Sequence, residues 1–319
     1  FALSAFLGLL VPQTSWAQTS DYPAKPIKVV VTFPPGGSSD AIIRILSTRL
    51  NDKLGHPLIL DNRPGAGGNI GLSVVAKAAP DGYVLGVGAA GGLTANVSLY
   101  PQMPFDVAKD FAPITMLASI PFVLVGHPSV PADNMQQLTA LAKSQPGKVS
   151  IGHGGNGTAM HLSTALFTQM ADIKLIEVPY RGSGPAAMDT LSGQIQLSVT
   201  DLAAALPHIK AGKLKAFAVT SPKRLSNLPD VPTLSESGLT GYDSTGWFGL
   251  VAPTGTPPQI IQRLHAEFTA ALNDESIKSQ MRQNGMEPIA TSIEGFDSYI
   301  KSETQKWAKV IKQANIKLN

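Results

Sequence analysis

Short β-branched runs alternate with helical periodicities through most of the chain, the pattern of a parallel α/β fold. Residues 27–33 (IKVVVTF) predict a buried strand. Pro34-Pro35-Gly36-Gly37 then turns the chain, and Ser38 or Ser39 is placed to cap a helix with Ile42, Ile43, Leu46 and Leu50 on one face. Residues 58–61 form a short second strand before the loop from Arg63 to Asn69. A helix through Val74 and Ala78 stops at Pro80-Asp81-Gly82, and residues 83–87 give a third strand ending in Gly88-Ala89-Ala90-Gly91-Gly92.

The alternation restarts after Val125. Helices are predicted over 135–143, 158–170 and 185–191, and strands over 149–152, 175–178, 195–199 and 214–219. The Pro-rich stretch 221–233 reads as a surface connection. Thr256-Pro257-Pro258 opens a helix with Ile260, Leu264, Phe268 and Leu272 in register, because proline tolerates the first turn. Phe296, Ile300, Glu303, Trp307, Val310 and Ala314 mark the buried stripe of a final helix.

Composition narrows the class. The 319 residues are enough for two domains, and 43% hydrophobic with 15% charged residues is ordinary for a globular protein. A net charge of +3 without a dense basic stripe gives no footprint for nucleic acid. Residues 1–11 (FALSAFLGLLV) are an uncharged apolar run, broken at Pro12 and followed by Ser15-Trp16-Ala17. That is the sequence of a signal peptide lacking its basic start and cleaved near Ala17, and the run is too short to span a bilayer. With no cysteine anywhere, disulfides, thiolate metal sites and cysteine nucleophiles are excluded, which suits the bacterial periplasm.

The candidate chemistry lies in glycine-rich turns that follow strands and open helices. In an open α/β sheet such turns sit where ligands bind, and free N–H groups at a helix start favour an anion. Ser38, Ser39, Asn156, Thr158 and Ser183 add hydroxyl or amide partners there. Asp40 is placed to offset its helix dipole. Arg181 is the best single carboxylate clamp, a surface salt bridge being the alternative. Asp201 either faces the same cleft or caps the next helix. The histidines form no metal pattern: His153 and His161, the closest pair, lack carboxylates at ligand spacing. His153 is placed to meet ligand from its loop, and His161 to pack inside a helix.

Two turns spell G-x-G-x-x-G. Gly86–Gly91 is rejected because no helix is predicted before Pro101. Gly152–Gly157 follows a strand and opens a helix, with Glu177 about where a ribose-binding acid belongs. An exported NAD(P)-dependent oxidoreductase is therefore the alternative to a binding protein. No nucleophile elbow and no cofactor motif beyond that pattern is present.

Taken in order, Tyr22-Pro23, Pro35-Gly36-Gly37 with Asp40, Asn62-Arg63-Pro64-Gly65-Ala66-Gly67-Gly68-Asn69, Pro80-Asp81-Gly82-Tyr83, Asp110-Phe111-Ala112-Pro113, Val178-Pro179-Tyr180-Arg181-Gly182, Ala211-Gly212-Lys213-Leu214 and Pro229-Asp230-Val231-Pro232-Thr233 form a pattern. It resembles the periplasmic receptors of tripartite tricarboxylate transporters, the Bug or TctC family, over almost the whole mature chain. The resemblance implies a two-domain α/β "Venus flytrap", each domain a mostly parallel sheet flanked by helices. Residues 22–122 with 247–319 would form one domain and 123–246 the other, with crossings near 121–125 and 244–249. It implies a monomer that takes a small carboxylate and hands it to membrane components without being membrane-embedded or catalytic.

The ligand would sit against Phe33, Pro35, Gly36, Gly37, Ser38, Ser39, Asp40, Ala89, Ala90 and Gly91 of the first domain. From the second domain His153, Asn156, Gly157, Thr158, Arg181, Gly182, Ser183 and Asp201 would close on it. His153 and Glu177 depart from the common pattern of the family, which leaves the far end of the ligand open. A sensory receptor for the same acids would read identically.

Overall fold

The computed structural model describes residues 22–313 and 316–318; the expected export segment, residues 1–17, lies outside them. The first half runs β1 (Ile27–Val31), α1 (Ser38–Leu54), β2 (Leu58–Asn62), α2 (Asn69–Ala76), β3 (Val84–Ala89), α3 (Asn96–Leu99), α4 (Val107–Asp110) and β4 (Phe111–Ile120). A second set follows: β5 (Phe122–Gly126), α5 (Met135–Ser144), β6 (Ser150–His153), α6 (Ala159–Met170), β7 (Ile176–Pro179), α7 (Ser183–Leu191), β8 (Leu197–Asp201), α8 (Leu202–Lys210) and β9 (Lys215–Val219). The chain then returns through β10 (Gly246–Pro253), α9 (Pro258–Leu272), α10 (Glu275–Gln283), β11 (Glu287–Pro288) and α11 (Ile293–Gln313).

The strands form two sheets, β11-β4-β10-β3-β1-β2 and β7-β6-β8-β5-β9. In the first, β1 pairs in parallel with β2 and β3, while β10 runs antiparallel to both β3 and β4. In the second, β6 pairs in parallel with β7 and β8, and β5 is the inverted strand. Helices cover the faces, so the central strand β1 is apolar but for the exposed Lys28: Ile27, Val29, Val30 and Val31 are all fully buried. The predicted stripes Ile42/Ile43/Leu46/Leu50 and Ile260/Leu264/Phe268/Leu272 are core, and α9 and α11 return to pack on β4 of the first sheet. None of the described helices is long and apolar enough to cross a membrane.

Three expectations need correction. Neither Ser38 nor Ser39 caps α1, which starts one residue earlier: the N-cap is Gly37, with no side-chain bond. Second, a helical segment does follow Gly86–Gly91, a π-turn over Gly91–Ala95 running into α3, despite its glycines. Third, the sequence pattern did not reveal β4 and β10. Pro113 lies within β4 and β10 is framed by Gly246 and Pro253, so neither shows clean alternation. Register shifts at Phe248/Gly249 and Leu250/Val251, the second beside the Val251–Pro113 pair, let the proline into a ladder it cannot donate to.

These two strands carry the crossings. Only Pro121 separates β4 from β5 in the other sheet, and Gly246, where the chain re-enters the first sheet, pairs with Ile120. The two connections therefore lie side by side.

Candidate functional site

A cavity of about 170 Å³ lies between the two sheets, above these paired crossings. The first half lines it with Phe33, Pro35, Gly36, Gly37, Ser38, Ser39 and Ala89, and the second with Thr158, Arg181, Gly182, Ser183 and Asp201. All twelve are residues singled out from sequence. The floor is different: Ile120, Phe122, Trp247 and Phe248, with Met160 at the side, were not singled out. The expected crossings at 121–125 and 244–249 held the clue, because strands that join two sheets must pass beneath the cleft between them.

Four helices, α1, α6, α7 and α8, begin at the cavity, the last capped by Asp201. The caps of α1 and α7 are Gly37 and Gly182, neither with a side-chain bond, so the Ser38, Ser39, Ser183 and Gly184 amides are left for another acceptor. Thr158 caps α6, its hydroxyl accepting from the His161 N–H at 3.3 Å. Ser39 is buried on the cavity wall and its Oγ has no partner among the described residues. Free amides at two helix starts and the Ser39 hydroxyl are chemistry suited to an anion.

Asp201 fills both roles left open for it. It caps α8, Oδ1 accepting from the Ala204 N–H at 3.0 Å, and its Oδ2 accepts from the Ser38 hydroxyl at 2.7 Å across the cleft. Arg181 is exposed at the cavity rim and has no carboxylate partner among the described residues, so the surface-salt-bridge alternative is not seen. A second hollow of about 500 Å³ continues from the cavity past Phe33 and Arg181 to Pro64–Gly68 and Tyr100.

The remaining candidates lie outside the cavity. Asp40 is buried beneath the Pro35–Ser39 turn, its carboxylate accepting from the Arg44 guanidinium at 2.6 Å, the Gly36 N–H at 3.3 Å and the Asn62 amide at 3.3 Å. Burial pushes this carboxyl up, but those donors together hold it below its ordinary value. It shapes the turn rather than facing a ligand.

Ala90 and Gly91 are buried at the start of the π-turn, where Gly91 meets the opposite half. A Cβ on Gly91 would lie 2.1 Å from the Gly157 carbonyl oxygen, and one on Gly157, whose φ is +77°, 2.6 Å from Asn96 Oδ1. Asn156 lines the second hollow, and its carbonyl accepts from Tyr100 OH at 3.4 Å. Gly91, Asn156 and Gly157 thus form one of the contacts between the halves.

His153 is wholly buried behind the second-half turn, so it does not reach the cavity. Its Nδ1 accepts from the Gly155 N–H at 3.2 Å, and His161 Nδ1 accepts from the Gly157 N–H at 3.3 Å. Both Nε2 atoms face Glu177 Oε2, at 3.6 and 3.7 Å. Sequence spacing hid this trio because Glu177 comes from the neighbouring strand β7. Two imidazoles and a carboxylate within 4.8 Å have the makings of a metal site. The backbone donors argue otherwise: an Nδ1 that accepts leaves the ring proton on Nε2, where a metal would need the lone pair. Burial lowers His153 to about 3, helped by His161, and lowers His161 to about 4, so both are neutral, while burial raises Glu177. Glu177 opens onto a separate hollow with Lys174 and Lys317, away from the Gly154–Asn156 amides that a ribose-reading acid would have to accompany.

Known proteins agree with this architecture. The profile of the tripartite tricarboxylate transporter family receptors matches residues 42–316. Protein BugT of Bordetella pertussis is 36% identical over 320 residues, covering 99% of this chain and 98% of the relative. Among solved structures, R. palustris Rpa4515 with adipate has a TM-score of 0.90 at 35% identity, covering 93% of this chain and 99% of that one. MatC (Rpa3494) from Rhodopseudomonas palustris with bound malate has a TM-score of 0.86 at 30% identity, covering 91% and 100%. The chain belongs to the tripartite tricarboxylate transporter receptor family.

Proposed function

We propose that this protein is a periplasmic receptor that closes on a small organic acid and presents it to the membrane components of a tripartite transporter. One observation carries the reading: the uncapped starts of α1 and α7 and the unpartnered Ser39 hydroxyl converge on one cavity between two sheets. The carboxylate is held by the first-turn amides of α1 and α7, by Ser39 and by Arg181 at the rim. Residues 22–122 with 247–319 move as one domain and 123–246 as the other, turning about the paired crossings at Pro121 and Gly246. Closure brings Gly91 against Gly157 and Ser38 onto Asp201, and the closed face is what the membrane partner reads. Adipate and malate in the related structures support an acid ligand.

The same geometry supports binding without catalysis. No histidine or lysine lines the cavity among the described residues, and the Ser38 hydroxyl donates to an acid already capping a helix. The protein is exported with its leader removed near Ala17 and works as a monomer.

A thermal-shift screen of mono-, di- and tricarboxylates on the mature chain tests this. A ligand at 100 times its Kd adds about 2.7 kcal/mol, which raises the melting midpoint by roughly 5–10 °C. Stabilisation by NAD or NADP with none by any acid would overturn the reading.

A further inference from the structure

We infer that the ligand is an acid with a single carboxylate on one aromatic ring, about the size of benzoate; this rests on the receptor reading above. The cavity walls carry the argument. Below the helix starts, the surface is Phe33, Phe122, Phe248, Ile120 and Met160, and none of these five offers a charge. Phe33 and Phe248 meet edge to face at 6.0 Å and 73°, an arrangement that a third ring extends. Both are only partly buried by the protein, so ring surface remains open on the cavity side.

Size points the same way. The cavity measures about 170 Å³, and an engineered apolar protein cavity of about 150 Å³ takes up benzene. One ring with one small polar group is of that size, and the apolar lining does not suit the three charged arms of a tricarboxylate.

Charge limits the number of carboxylates. The lining holds one cationic side chain, Arg181, and one carboxylate, Asp201. Both Asp201 oxygens already accept, from Ser38 and from the Ala204 N–H, so this end of the cavity presents negative charge and no spare donor. A second ligand carboxylate there would face a buried like charge. The anion is placed on the Ser39 hydroxyl and Arg181, the donors of the lining that Asp201 does not take, and the ring over the crossing strands.

The test is calorimetric titration of the mature chain with benzoate, hexanoate, adipate, malate and citrate. Benzoate is expected to bind about tenfold or more tightly than hexanoate, the value of one to two good ring contacts, and more tightly than either dicarboxylate. Phe248→Leu should weaken benzoate about fivefold or more while changing hexanoate less than about twofold. Asp201→Asn, which keeps the helix cap, should raise the affinity for adipate or malate relative to that for benzoate. Adipate, malate or citrate binding more tightly than benzoate would overturn the ring assignment and leave the receptor reading intact. Failure of every acid, these five included, would overturn both.

Discussion

The two faces of the cleft are built by opposite means. In the first half, the Pro35–Ser39 turn rests on a charged network: Asp40 takes the Arg44 guanidinium, the Gly36 N–H and the Asn62 amide. In the second half, the Gly154–Gly157 turn rests on two neutral imidazoles, each taking one backbone N–H. Arg44 is largely exposed, so solvent shares the load of the first support. The histidines are sealed in, so theirs is carried entirely by the protein. A turn held by an ion pair tolerates acid down to carboxylate titration; a turn held by buried neutral histidines pays for every proton the unfolded chain takes up above that.

The largest expected effect breaks the second support with acid. The folded histidines titrate at about 3 and 4, below the ordinary value of 6.5. Between these limits the unfolded chain binds protons that the folded chain refuses. The stabilisation is complete above pH ~6.5 and is lost as pH falls toward the folded values, at about 1.4 kcal/mol per pH unit for each histidine. Glu177, raised by the same burial, offsets part of this by protonating more readily when folded. Urea midpoints across pH 7 to 4.5 should therefore fall more steeply in the wild type than in the His153→Asn/His161→Asn variant. Asparagine Oδ1 can keep each backbone hydrogen bond without titrating in that window. Equal slopes would show that the histidines are charged or exposed.

Next comes the contact between the halves. Gly91→Ala places a methyl 2.1 Å from the Gly157 carbonyl oxygen, a backbone atom that cannot turn away. Closure would be overpacked by about 1–3 kcal/mol, so acid affinity should fall about tenfold to a hundredfold. The unliganded protein, free to stay open, should melt within about 2 °C of wild type. An equal loss of stability in the unliganded protein would place this contact in the fold itself.

Smaller still is the charged support. Asp40→Asn should lower affinity by about 1–2 kcal/mol, because the Gly36 N–H and Arg44 lose a charged acceptor. Arg44→Ala should cost less than about 1 kcal/mol, being an exposed partner. The pair separates the buried acid from its surface cation. If Arg44→Ala proves the costlier, the support depends on the ion pair and not on the acid's backbone bond.

Much of this was legible in the chain. The β-branched runs, the helical stripes and the glycine turns locate the strands and the polar rim, since each depends on local periodicity or on a residue type with one backbone use. Ser38, Ser39, Arg181 and Asp201 were found for that reason. Two things depended on tertiary register instead. The aromatic floor comes from β4, β5 and β10, where Pro113, Pro121 and flanking glycines mask strand alternation. The histidine support needs Glu177 from a neighbouring strand and two backbone amides, none of which sequence spacing displays. Asp40 illustrates the same limit: its position in the first turn suggested a dipole partner near the ligand, while its rotamer takes it beneath the turn.

The account stands on one acid being gripped by both halves at once. Hydrogen exchange on the mature chain, with and without the acid that stabilises it most, tests this directly. Amides of Gly36–Ala41 and of Gly182–Ala186 should slow together on ligand addition, and Gly91→Ala should abolish the slowing in the second segment at the same ligand concentration. Slowing confined to one half in the wild type, or unchanged in both, would contradict it.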